Sequence, residues 1–368
     1  MSAYSDRLDR LRATMKATGT DLVALGPSSH MIWLSGVSPH GDERPVLLLV
    51  SQDHAGFLMP ALNADAARTA TDLPFETWDD AEGPDAALAR LLQAANIDGS
   101  PSVVIDETMR ADFALLLLDA LPGARRRFTV DTVGALRARK DTSEYDALKK
   151  SALLNDAAMR AGFEALRPGV TEREIATIVR DYYKAQGAAP EFTSVCFGAN
   201  GAFPHHAVGD TKLAPGDAVL IDTGGRIDGY PSDMTRVGYL GSAPEGFADV
   251  HTVLESAVQA ALAAARPGVR ASDVDRAARD VIAKAGYGAY FLHRTGHGLG
   301  LDVHEPPYIT GTSETVLEEG MVFSIEPGIY LPGKFGIRLE DIVILRADGP
   351  EILSGMPRAA VVAGNRDA

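Results

Sequence analysis

The 368-residue chain is 46% apolar and 23% charged, an ordinary balance for a folded, water-exposed protein, and its length favours two domains over one core. A formal net charge of −15 argues against nucleic acid as a partner, because phosphate binding needs clustered Lys and Arg. The longest apolar runs, such as 46–50 and 114–118, fall far short of the roughly 20 residues that span a bilayer, so no membrane partner is expected.

The first residues lack the basic stretch and apolar core of a secretory signal. Leu8, Leu11 and Met15 then recur at helical spacing, and Gly19 supplies a stop. Apolar runs at 22–25, 46–50, 57–59 and 103–105 alternate with helix-like stretches such as 84–95, which reads as a small α/β domain ending near residue 135. A charged segment, 137–144, follows, and Thr142 or Ser143 is expected to cap a long helix running to Leu166. Cys196 is the single cysteine, so no intramolecular disulfide can form. That suits a cytoplasmic protein, and with no activating neighbour the thiol is expected in the core.

From there the chain repeats itself. Arg167-Pro168-Gly169-Val170 and Arg266-Pro267-Gly268-Val269 each open a helical stretch, and thirteen residues after each Arg stands an Arg-Asp pair, Arg180-Asp181 and Arg279-Asp280. Gly187 and Gly286 close the two units, and eighteen residues beyond them lie His205 and His304. Leu213-Ala214-Pro215-Gly216 leads to Ile221-Asp222-Thr223-Gly224 as Leu317-Glu318-Glu319-Gly320 leads to Ile325-Glu326-Pro327-Gly328. Two halves related by approximate symmetry are predicted, with Asp222 and Glu326 facing one point.

Several acids sit where burial is costly. Residues 219–222 read as a buried strand ending in a carboxylate, with turn residues from Gly224 to Gly229 and a return beginning at Ser232-Asp233. Asp222 and Asp233 side by side would repel unless a cation intervened; two acids in exposed turns is the alternative. Residues 321–326 carry Glu326 at the end of an apolar run, and 336–343 alternate so that Arg338, Glu340 and Ile342 share one strand face, as an internal Arg-Glu pair or as part of a site. Residues 293–304 hold His293, His297 and His304 among three glycines, too loose for a helical zinc motif. Four carboxylates and one imidazole roughly neutralise two divalent ions. Such a donor set suits Mn²⁺ or Co²⁺ and can accept Zn²⁺.

In this order, Asp222, Asp233, His297, Glu326 and Glu340 resemble the ligand set of the pita-bread metallopeptidases, which include aminopeptidase P, prolidase and methionine aminopeptidase. The strings around Asp233 (Ser232 to Arg236) and His304 (Leu301 to Glu305) carry the likeness over about 140–350. The resemblance implies an N-terminal creatinase-like (ribonuclease H-like) α/β domain over 1–135 and a pseudo-symmetric pita-bread catalytic domain over 136–368, α/β (α+β) in class. It implies that Asp222 chelates one metal, His297 and Glu326 hold the other, and Asp233 and Glu340 bridge. His205 would stand near the scissile bond, His304 would hydrogen-bond the substrate carbonyl or oxyanion, and His293 would line the proline pocket. Arg338, with the large N-terminal domain, favours the Xaa-Pro branch over methionine aminopeptidases; it would meet a substrate carboxylate or fix Glu340.

The reaction so implied is attack by a metal-bridging hydroxide on the carbonyl preceding proline, with Glu326 shuttling the proton to the leaving nitrogen. A homodimer is expected, and segments 28–36 and 38–43 are candidates for walling the free-amine side, although domain packing around Trp33 explains the first equally well. The competing class is a relative acting on a small non-peptide molecule at the same centre. Creatinase-like members lack the metal ligands, and all five are present here; a metal-free binding protein fits still less well.

Overall fold

The computed structural model describes residues 3–364, and these divide into two compact units between Arg137 and Ala138. The first is built on a six-stranded mixed sheet in the order β4-β3-β2-β1-β5-β6: β1 (Leu22–Leu25), β2 (Leu47–Val50), β3 (Ala55–Pro60), β4 (Phe75–Trp78), β5 (Ser102–Ile105) and β6 (Arg125–Arg127). The central strands are short apolar runs because both of their faces are covered. Helices α1 (Ala3–Thr18), α2 (Ser29–Ser35), α3 (Ala61–Ala67), α4 (Asp85–Ala94) and α5 (Ala111–Ala120) surround it, and Leu88, Leu91, Phe113 and Leu117 join Leu47, Leu49 and Val103 in one core. Trp33 of α2 is only 1% exposed, and the Arg7 guanidinium stacks on its ring. A short helix, α6 (Val133–Ala138), follows at the junction.

The second unit opens with α7 (Thr142–Glu164). Its cap is Asp141, not the expected Thr142 or Ser143: the Asp141 carboxylate accepts the Glu144 N–H while Glu144 reaches back to the Asp141 N–H. Next come α8 (Glu172–Ala185), β7 (Ala189–Phe197), β8 (Ala218–Ile227), β9 (Tyr230–Pro231) and β10 (Met234–Leu240), which form one sheet with β18 (Val361–Ala363). The second half supplies α9 (Phe247–Ala264), α10 (Ala271–Lys284), β11 (Gly296–Gly298), β12 (Glu305–Ile309), β13 (Val322–Ile325), β16 (Asp341–Arg346) and β17 (Gly349–Ile352), with β14 (Gly328–Leu331) and β15 (Phe335–Arg338) as a separate hairpin.

The sequence repeat reappears as repeated hydrogen bonds. Gly169 N–H donates to Leu213 and Leu213 N–H to Val170; Gly268 donates to Leu317 and Leu317 to Val269. Gly216 to Leu240 is matched by Gly320 to Leu345. Each half therefore ties the entry of its helix to the strand that carries its acid, which is why the Pro-Gly and Ala-Pro-Gly punctuation recurs.

Two local expectations change. β8 does not end at Asp222 but continues to Ile227, and the reversal comes at Asp228-Gly229, whose φ values of 52° and 83° are those of a two-residue hairpin turn. The alternating stretch 336–343 is not one strand: it breaks at Leu339-Glu340, so that β15 pairs with β14 and β16 with β13.

Candidate metal centre

β8 and β10 are paired in register with Thr235 opposite Asp222, so the strand alternation puts Asp233 and Thr235 on the face beside that acid. β11 carries His297 between two glycines, where any Cβ would collide with backbone: at Gly296 it would meet the Ser324 carbonyl at 1.9 Å. This close approach lets Ser324 accept the His297 N–H and donate its own hydroxyl to Glu326 Oε1. The break after Arg338 turns Glu340 into the same space. A cavity of about 750 Å³ results, lined by Asp222, Asp233, His297, Glu326 and Glu340 and also by His205, His293, His304 and Arg338. All nine site residues named from the sequence thus border one cavity.

Facing donor atoms of Asp222, Asp233 and Glu340 lie within 4.8 Å of one another, as do those of His297, Glu326 and Glu340. Asp233 and Glu340 are 7% and 2% exposed, and burial, then the neighbouring acids, hold both far above the usual carboxylate range. Burial also pushes Glu326 up to about 7. Asp222 Oδ1 and Glu340 Oε1 are buried with no hydrogen-bond donor among the described residues. His297 Nδ1 donates to the Gly298 carbonyl, which leaves the Nε2 lone pair aimed at Glu326 Oε1 (3.2 Å) and Asp233 Oδ2 (3.6 Å). Burial, with His304 adjoining, lowers His297 to about 3, so the ring is neutral. A lone pair facing carboxylates, beside two orphaned buried oxygens, is an arrangement that cations complete. The residues fit a pair of divalent ions.

Arg338 is held on three sides. Its Nη2 donates to Asp222 Oδ2 (2.5 Å), Nε to Thr235 Oγ1 (2.9 Å) and Nη1 to the Tyr330 hydroxyl (2.7 Å). The Thr235 hydroxyl donates in turn to Glu340 Oε2 (2.7 Å), so the guanidinium reaches Glu340 through that hydroxyl. Tyr330, accepting from Arg338, donates to His293 Nε2 (2.8 Å), and His293 Nδ1 donates to the Arg294 carbonyl. Burial lowers His293 to about 4. His205 and His304 are exposed on the open side, and the His304 ring lies edge-on to His297 at 4.0 Å.

Thr235, Ser324 and Tyr330 escaped the sequence reading. Thr235 and Ser324 each stand two residues from a ligand candidate on the same strand face, a signal that alternation offers. Tyr330 carries no such mark. Cys196 is buried and burial pushes its thiol up to about 11, as befits a core residue. In the first unit, His30, Asp106 and Glu107 also converge, but their donors are taken: Ser28 and Thr108 bond Asp106, Thr129 bonds Glu107, and Arg137 bonds His30. No helix among the described residues is long and apolar enough to cross a membrane.

Comparison with known proteins agrees with this geometry. A Xaa-Pro dipeptidase of Lactobacillus delbrueckii subsp. lactis is 35% identical over 348 residues, 93% of this chain and 95% of that protein. The prolidase structure from Thermococcus sibiricus matches with a TM-score of 0.90 at 33% identity, covering 98% of this chain and all of the other. Dipeptidase PepE from Mycobacterium ulcerans matches with a TM-score of 0.92 at 35% identity over 98% of each chain. Residues 7–139 match the creatinase/prolidase N-terminal domain and residues 146–347 the metallopeptidase family M24, and with more than half its length in that match the chain belongs to this family.

Proposed function

We propose that the protein is a metal-dependent Xaa-Pro peptidase that hydrolyses the bond preceding proline, with dipeptides as its main substrates. The observation that carries the reading is the buried convergence of four carboxylates and one imidazole lone pair, two of whose oxygens have no other partner. The Lactobacillus relative bears the name Xaa-Pro dipeptidase and the Thermococcus structure that of prolidase, which supports this substrate class and the short length.

In this reading Asp222, Asp233, His297, Glu326 and Glu340 would hold two divalent ions. Mn²⁺ is the first candidate, since the donors are mostly oxygen, with Co²⁺ and Zn²⁺ as alternatives. When bound, such ions would supply Lewis acidity for the water and for the scissile carbonyl. Glu326, which borders the cavity and accepts the Ser324 hydroxyl, would be placed to take a proton and pass it to the leaving nitrogen. His304 and His205 flank the open side of the cavity, where they can donate to the carbonyl oxygen as it gains charge. His293, oriented by Tyr330, borders the space for the proline ring together with Phe192 and Val303. The tertiary amide before proline has no N–H, so the site needs no acceptor for it. Arg338 keeps Asp222 and Glu340 in place and lies beside the region of the substrate carboxylate. A homodimer in the cytoplasm completes the proposal; the single cysteine suits a reducing compartment.

The test uses the full chain loaded with Mn²⁺. It should cleave Ala-Pro faster than Ala-Pro-Ala, and EDTA should abolish the cleavage. Loaded protein that cleaves no proline peptide would refute the assignment; preference for the tripeptide would move it to the aminopeptidase P type. Asp233→Ala should lose bound metal and activity together.

A further inference from the structure

The segment between β7 and β8 carries His205, yet among the described residues no hydrogen bond of its own places that side chain. The segment is secured from beneath by Glu172, in the first turn of α8 and completely buried. Its Oε1 accepts the Phe197 N–H (2.9 Å) and Asn200 Nδ2 (2.8 Å); its Oε2 accepts His206 Nε2 (2.9 Å) and the Gly209 N–H (3.0 Å). These four donors enclose His205 from both sides in sequence. The helix entry adds main-chain bonds, from Glu172 N–H to Thr211 and from Arg173 N–H to Gly209. At the far end of the segment, the Arg173 guanidinium pairs with Asp210 at 2.8 Å.

The other half repeats the device. Asp275 of α10, also completely buried, accepts the N–H (3.1 Å) and hydroxyl (2.8 Å) of Thr295 and binds Arg279, which donates to the His293 carbonyl (3.0 Å). Each half thus sends one buried carboxylate from its helix to the segment that bears its pocket histidines. A fold needing only a cover for the helix end would not spend all four bonding directions of a buried acid on one excursion of the chain.

We infer that Glu172 is a positioning residue for His205: it locks the 197–209 segment so that the imidazole stands at the mouth of the cavity. The inference rests on the role proposed for His205, and its test separates the two.

Glu172→Gln keeps shape and volume but offers one acceptor oxygen in place of two, so one pair of donors loses its partner. Hydrogen exchange on the Mn²⁺-loaded full chain should show the Phe197 or Gly209 amide opening about tenfold faster or more, while amides of β8 and β10 keep their protection. Bound metal per chain should stay as in the wild type. With Ala-Pro, kcat should fall about tenfold with KM little changed. In a His205→Ala background the same substitution should cost less than about twofold, because nothing is left to position.

Equal losses in both backgrounds would overturn the inference and leave Glu172 a purely structural residue. Unchanged protection at Phe197 and Gly209 would remove the clamp itself. A fully active His205→Ala would sink the role of His205, and the purpose of the clamp with it, whatever exchange shows. His206→Ala removes one bond from the segment side and leaves α8 intact, and it should show the same coupling to His205 with a smaller loss. It serves the test if Glu172→Gln does not fold.

Discussion

At the scale of single residues, the centre depends on side chains that do not face the metals. Thr235 is fully buried and joins Arg338 to Glu340 through one hydroxyl, which accepts from the first and donates to the second. Thr235→Val keeps the shape and removes both bonds. Two buried charged groups then each lose a partner, at a cost of about 1–3 kcal/mol apiece before relaxation. The expected outcome is metal affinity reduced by roughly 10–100-fold, read by titration with Mn²⁺, with activity restored at high metal concentration. A variant with unaltered affinity would show that the Glu340 carboxylate is held by its backbone alone.

At the scale of elements, the reading of the chain succeeded where one local force dominates. The strands at 22–25 and 103–105 and the long helix after residue 141 follow from apolar runs and a capping box. The cap lies one or two residues earlier than expected, because Asp141, Thr142 and Ser143 are all competent caps; what selects Asp141 is the return bond from Glu144. Asp141→Ala should therefore lower stability by about 1 kcal/mol in a denaturant titration while leaving activity per folded molecule unchanged. The stretch 336–343 misled for a different reason. Its alternation is real, but β15 and β16 pair with different partners, and the break between them turns Glu340 into the cavity. Alternation reports the faces of a strand and is blind to a change of partner.

At the scale of the whole molecule, the crowded acids make stability depend on metal and pH together. Asp233, Glu340 and Glu326 have folded-state pKa values raised above those of an unfolded chain, so without metal the native state holds protons that the unfolded state has shed. Their contribution is full below the ordinary carboxylate range and is lost as pH rises towards their raised values, which for Glu326 is about 7. His293 and His297 act in the opposite sense. Their folded values are lowered, so they lose stability as pH falls below the usual 6.5, and above that they are neutral in both states. The window from about pH 6.5 to 8 therefore isolates the acids. EDTA-treated protein should show a falling Tm across it, and Mn²⁺-loaded protein should not, because cations replace the protons and bind more tightly as pH rises. A metal-free Tm that is flat or rising there would contradict the arrangement.

The amino-acid sequence by itself determined the duplicated halves and the two-part organisation and marked Asp222, Asp233, Glu326 and Glu340, since these rest on punctuation, apolar runs and acids placed where burial is costly; the choice of His297 among three nearby histidines rests on the family resemblance. Only the tertiary structure decided how those acids are supported. Tyr330 bonds His293 and Arg338 across 37 and 8 residues, and Glu172 reaches His206 across 34. Such bonds form because separate elements pack together, and hydrogen bonding between distant residues leaves no period in the chain.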